Sequence, residues 1–146
     1  MSLLDSSTTI KVSSTLDKSV GKKNLIDGSP ETCWTSAAGL PQSVDLTFSE
    51  TVIPKQLALT FQGGFVGTRC TVYGISPHDG EDTDDRPKWQ AIVQIYPEDI
   101  NRRQTFDLTL SANQIDLSKG VSRLKIVFEE SSDFFGRITL YNLELF

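Results

Sequence analysis

This 146-residue chain has little of what catalytic proteins are built from. It contains a single histidine, two cysteines and one methionine. No GxSxG, HExxH, P-loop or GxGxxG string occurs in it, so the common routes to a hydrolase, a zinc enzyme or a nucleotide enzyme are closed. The one histidine, His78, lies in an acidic stretch away from any nucleophile motif. Cys33 directly precedes a tryptophan and reads as a packing residue rather than a nucleophile. Carboxylate pairs carry no spacing that singles out a glycosidase pair. The expectation is a protein that is not an enzyme.

Other absences narrow the class further. No apolar run is long enough to cross a bilayer, and the start, MSLLDSSTTIKV, lacks the charged and apolar regions of a signal peptide. With two cysteines outside any metal-type spacing, the expectation is a reduced, intracellular protein of cytoplasm or nucleus, though spacing alone leaves a Cys33–Cys70 disulfide open. Basic charge is scarce: the formal net charge is -5, and Lys22/Lys23 and Arg102/Arg103 are the only adjacent basic pairs. That argues against nucleic acid as a partner. Repeats, linkers and low-complexity segments are missing too, so residues 1–146 are expected to form one domain.

Helical periodicity is nearly absent as well, confined to a turn at GKKNLI (21–26) and another at SANQID (111–116), where Ser111 can cap. What fills the chain is short β-type runs. TIKVSS (9–14), VDLTF (44–48), QLALTFQ (56–62), TVYGI (71–75), WQAIVQIY (89–96), QTFDLTL (104–110), SRLKIVF (122–128) and RITLYNLELF (137–146) are separated by Gly, Pro, Asp and Ser clusters. Several alternate strictly: Val44, Leu46 and Phe48 share a face, as do Leu57, Leu59 and Phe61, and Leu124, Ile126 and Phe128. Period-two alternation with closely spaced turns predicts an antiparallel sandwich or barrel. In the last run Ile138 and Leu140 lie in one phase, and Tyr141, Leu143 and Leu145 in the other. A face switch of this kind predicts a β-bulge near Tyr141 and Asn142, in a strand held in the sheet to its end at Phe146.

Four loops carry residues with chemistry to offer. In GKKNLIDGSPETCWTS (21–36), Asp27-Gly28 is a turn signal, and Asp27, the Thr32 hydroxyl and the carbonyls of Asn24 and Ser29 are a set that a hard cation accepts. The alternative is an Asx-type turn above Trp34 as a core plug. HDGEDTDDRPK (78–88) concentrates five carboxylates without EF-hand spacing, and reads as a solvated loop before a weak cation site. FQGGFVGTR (61–69) is a glycine-rich connection in which Phe65 and Arg69 can line a recognition surface. In EESSDFFGR (129–137), adjacent aromatics on extended chain point to opposite sides, so one of Phe134 and Phe135 is expected to be exposed beside Arg137, as an interface anchor.

The string NLIDGSPETCW, with Asn24, Leu25, Asp27, Gly28 and Trp34 in position, resembles the N-terminal signature of the discoidin-like, galactose-binding-like (coagulation factor type C) β-sandwiches. With LTFQGGF (59–65), QIYPEDINRRQTF (94–106) and SRLKIVFEESSDFFGRITLYNLELF (122–146), the chain resembles one small intracellular branch, the nuclear-receptor-associated protein family. The resemblance implies an all-β, eight-stranded antiparallel jelly roll working as a protein-interaction module, with a nuclear receptor or a multi-subunit assembly as partner and a role in transcription regulation. A sugar-binding module using the same end loops is the rival reading. In calcium-bearing members of the superfamily the ion is held by a loop Asp, loop carbonyls, a loop Thr and a Glu on the last strand. Asp27 and Thr32 match the first and third of these; the last falls on Asn142, which is neutral, with Glu144 two residues further on the same face. A structural calcium ion held by Asn24, Asp27, Ser29, Thr32 and Asn142 is therefore the cofactor that the resemblance implies, weakened by the missing charge.

Overall fold

The computed structural model describes residues 2–77, 89–109 and 117–146. Among these, nine strands form: β1 (Thr9–Val12), β2 (Trp34–Thr35), β3 (Gln42–Val52), β4 (Gln56–Phe61), β5 (Gly67–Ile75), β6 (Gln90–Ile95), β7 (Arg103–Asp107), β8 (Val121–Ser131) and β9 (Thr139–Leu145). All eight runs read from the sequence contain a strand, and β2 is an addition of two residues pairing Trp34 with Leu140 and Thr35 with Thr139. The turn expected at 21–26 is a 3₁₀ helix over Lys22–Leu25. The turn expected at 111–116 and the acidic stretch 78–88 with His78 lie outside the described residues.

The strands form two antiparallel sheets, one of order β1-β3-β8-β5-β6 and one of order β2-β9-β4-β7. Apart from β5 and β6, neighbours in the sheets are not consecutive in sequence, so each apolar face is completed by residues from remote parts of the chain. The alternation decides what goes inside. Val44, Leu46, Leu57, Leu59, Phe61, Leu124, Ile126 and Phe128 are all fully buried between the sheets, while Phe48 packs at the margin. Phe128 is the centre of an aromatic group, 6.1 Å from Trp34 and edge-on to Phe61 at 6.0 Å. Such pairs add stability beyond the area they bury.

The bulge expected in the last strand is present. Asn142 pairs with Thr60 and Leu140 with Phe61, so Tyr141 is the extra residue. The bulge lets Ile138 and Leu140 on one side of it, and Leu143 and Leu145 on the other, all reach the core. It also turns Asn142 toward a groove shared with Gly28, Ser29 and Pro30, while Glu144 pairs with Arg103. The chain end is tied in: the Phe146 amide donates to the Gln56 carbonyl at 2.8 Å, and the Lys55 amide donates to the Phe146 carbonyl at 2.6 Å.

Candidate functional site

Two groups of candidate residues lie at different places on this scaffold. The first is the Asp27 loop, between the 3₁₀ turn at Lys22–Leu25 and β2. Trp34 is fully buried beneath it, with its indole N–H donating to the Ser14 carbonyl at 3.0 Å. Asp27 closes the loop as an Asx turn: one carboxylate oxygen accepts the Ser29 amide at 2.9 Å, the other the Thr32 hydroxyl at 2.5 Å. These bonds, the Thr32 hydroxyl first, hold its pKa below the usual carboxylate value. Asn24 donates its side-chain amide to two carbonyls, Ser19 at 3.1 Å and Cys33 at 2.8 Å. In this structure the loop is held by turn chemistry, with Trp34 packed as a core plug beneath it.

The same geometry tests the metal. Calcium takes roughly six to eight oxygens and gains affinity with each charged ligand. Asp27 is the one carboxylate that the candidate set supplies. Asn142 is neutral, and Glu144 is committed to Arg103, whose Nε sits 2.9 Å from its carboxylate. Among the described residues no group of three or more His, Cys, Asp or Glu side chains is placed to hold a metal. The residues present do not fit a calcium ion.

The second group is at one end of the sandwich, in the loop from β8 to β9. Asp133 grips Arg137 with both carboxylate oxygens: Arg137 Nε is 2.9 Å from Oδ2 and a terminal guanidinium nitrogen is 3.2 Å from Oδ1, while the Arg137 amide donates to Oδ2 at 3.1 Å. The pairing lowers the Asp133 pKa and raises that of Arg137, chiefly through the side-chain hydrogen bonds. Gly136, at φ 78°, makes the turn between them; a Cβ there would sit 3.2 Å from Gly39 backbone. The Gly39 amide donates to the Phe135 carbonyl at 2.8 Å. Ser132 joins further segments, accepting the Val66 amide at 2.9 Å and donating to Asp99 at 3.2 Å, while Asp99 accepts the Gly64 amide at 2.8 Å.

With its polar groups bound inward, the loop turns its aromatics out. Phe134 is 94% exposed and Phe135 61%, edge to face at 5.3 Å, with Leu40 41% exposed alongside. The sequence expectation of one exposed phenylalanine is corrected here. The chain at 132–135 is a turn rather than extended, so strand alternation does not apply and both rings leave the core. Arg137 lies between Phe65, at 5.2 Å, and Phe135, at 5.5 Å, and so links two of the sequence candidates. Arg69 stands on β5 in an ion pair with Glu130 at 3.0 Å. A shallow depression of about 460 Å³ runs beside the rings, lined among others by Leu40, Thr68, Glu130 and Asp133.

Sequence reading missed Leu40, Asp133 and Asp99, and expected one exposed ring where both Phe134 and Phe135 are exposed. Asp133 had a signal, since the Asp-x-x-x-Arg spacing in DFFGR allows a clamp across a tight turn. Leu40 had none, because it reaches the patch from a remote loop.

No family model matches this chain. The sandwich is similar to chitosan-binding module 1 of a Paenibacillus chitosanase/glucanase, with a TM-score of 0.72 at 14% identity over 96% of this chain and 95% of that one. It is also similar to the family 32 carbohydrate-binding module of Clostridium perfringens NanJ, solved with galactose, with a TM-score of 0.70 at 19% identity over 96% and 93%. At these identities the likeness shows the fold, a galactose-binding-like β-sandwich. In sequence the chain is 40% identical over 147 residues to the nuclear receptor 2C2-associated protein of Xenopus laevis, covering 99% of this chain and 96% of that protein. It is 38% identical to the one of Homo sapiens, covering 99% and 94%. Over its whole described length this sandwich carries a sequence of that kind, and the chain belongs to the family of nuclear receptor 2C2-associated proteins.

Proposed function

We propose that this protein is a non-catalytic interaction module that docks a protein partner on the Phe134–Phe135 loop, and that the partner is a nuclear receptor, alone or within a larger assembly. The observation that carries the reading is a phenylalanine left 94% exposed on a loop whose polar groups are bound inward. A ring of this size contributes about 2 kcal/mol when a partner buries it, and a loop that is already ordered loses little entropy on binding. The relatives' shared name supports a receptor as partner. A receptor-bound regulator of transcription works in the nucleus or the cytoplasm, and no helix among the described residues is long and apolar enough to cross a membrane.

The second reading, a sugar-binding module at the same end, is favoured by the likeness of the fold to chitosan- and galactose-binding modules. Sugar sites combine an aromatic face with free hydrogen-bonding groups. Here both arginines near the rings are ion-paired, Arg137 to Asp133 and Arg69 to Glu130. That favours a partner which brings apolar side chains. Titration of purified nuclear receptor 2C2 onto the immobilised protein tests the proposal. Binding that falls at least about tenfold in Phe134→Ala/Phe135→Ala, each ring contributing on the order of 1–2 kcal/mol, is the expected result. A competable hit on a glycan array without receptor binding would establish the sugar reading instead.

A further inference from the structure

We propose that the outer face of the five-stranded sheet holds a second docking site, separate from the Phe134–Phe135 loop, which takes an acidic peptide segment with an apolar side chain beside its carboxylates. Strand alternation builds the site. On β8, Leu124, Ile126 and Phe128 are buried in the core, so Arg123, Lys125 and Val127 point outward. On β5, Val72 is buried, and Tyr73, paired with Lys125, shares their outward face. Trp89 immediately precedes β6 at the edge of the sheet. Its ring crosses β5 to stand 4.8 Å from the Arg123 guanidinium carbon and 5.4 Å from the Lys125 ammonium.

Charge decides what the site accepts. The chain has a net charge of -5, yet two cations share this one ring. Asp45 lies directly opposite Lys125 in the β3–β8 register, but its carboxylate is taken by Arg123 at 2.7 Å. Glu129, further along β8, accepts the Thr71 hydroxyl at 2.5 Å and the Gln94 amide at 3.3 Å. Lys125 is left without an ion-pair partner among the described residues. A carboxylate brought by a partner completes that pair. Two cations are too few to hold a nucleic-acid backbone against the chain's own negative charge.

The groove beside the ring supplies the apolar half of the recognition. About 230 Å³ is enclosed by Tyr73, Trp89, Lys125 and Val127, room for one large aliphatic side chain against two aromatic rings. Three of these walls stand on β5 and β8, and the fourth, Trp89, is already held by the two cations. Little order therefore has to be gained when a partner binds.

The probe is a synthetic peptide of one leucine flanked on each side by three glutamates, with glutamine replacing glutamate in the control. Each is titrated into the full chain by calorimetry while tryptophan emission is recorded. Trp34 is fully buried, so a change in emission reports Trp89. Expected is saturable binding of the acidic peptide that alters the emission and weakens about threefold or more in Lys125→Gln. The same binding should be unchanged in Phe134→Ala/Phe135→Ala, and the glutamine peptide should bind at least about tenfold more weakly. No binding, binding without a change in emission, or equal binding of the glutamine peptide overturns the proposal. So does binding that ignores Lys125→Gln or is lost in Phe134→Ala/Phe135→Ala. Binding that emerges only once Asp79, Glu81, Asp82, Asp84 and Asp85 are neutralised overturns it too, since the occupant is then the chain's own acidic stretch.

Discussion

Trp34 shows at the scale of one residue how far a local reading reaches. A tryptophan after an Asp-Gly turn is legible as a core plug, and it is fully buried against Phe128 with its indole N–H on the Ser14 carbonyl. Trp34→Ala should destabilise the fold by about 4 kcal/mol, from lost burial and the cavity left behind, read as a lower urea midpoint. The cysteines separate just as cleanly. Both are free, Cys33 half-buried and Cys70 buried, and burial pushes the Cys70 thiol well above its ordinary pKa. Brief alkylation of the folded protein at pH 8 should label Cys33 alone by mass spectrometry; equal labelling of Cys70 would contradict the burial. Asp27 gives a pH dependence with a definite sign. Its pKa is lowered in the folded state, so the loop's stabilisation is full above the ordinary value of 3.8 and is lost as pH falls through the lower folded value. Asp27→Asn should therefore flatten the acid limb of the stability curve below about pH 4, with little change at pH 7 in its shape. What could not be read at this scale is exposure in the end loops. Phe134 and Phe135 look alike in sequence, and their outward placement follows from Asp133, Gly136 and Gly39 meeting in space.

Whole elements were legible where periodicity is strict. The strands carrying Leu57–Phe61 and Leu124–Phe128 follow from alternation, and the bulge in β9 from the phase switch after Leu140. β2 escaped because two residues carry no period, and because Trp34 and Thr35 belong to a sheet only through partners more than 100 positions away. The entry to β8 shows what such an element depends on. Gly120 has φ 79°, and a Cβ there would stand 2.5 Å from Thr51 Cγ2 and 2.7 Å from the Val52 carbonyl oxygen, just where the β3–β8 register shifts. Gly120→Ala should cost about 2–4 kcal/mol, seen as a lower urea midpoint with an unchanged slope. A loss under about 0.5 kcal/mol would mean that the β3–β8 entry relaxes readily.

For the molecule as a whole, alternation announced two apolar faces but not which strands are neighbours. The order β1-β3-β8-β5-β6 against β2-β9-β4-β7 depends on long-range pairing that local pattern does not encode. The end-loop surface is a product of that order, since it draws Leu40, Phe65, Arg137 and both phenylalanines from three separate connections. Such a surface can lose its apolar contacts without loss of fold, because Phe134 and Phe135 bury little within the protein itself. The most direct test of its role is therefore a titration of nuclear receptor 2C2 against the native protein and Phe134→Ala/Phe135→Ala, with melting midpoints measured alongside. Binding that weakens at least about tenfold with the midpoint unchanged is the result predicted here. Equal binding by both proteins, or none by the native one, would contradict it.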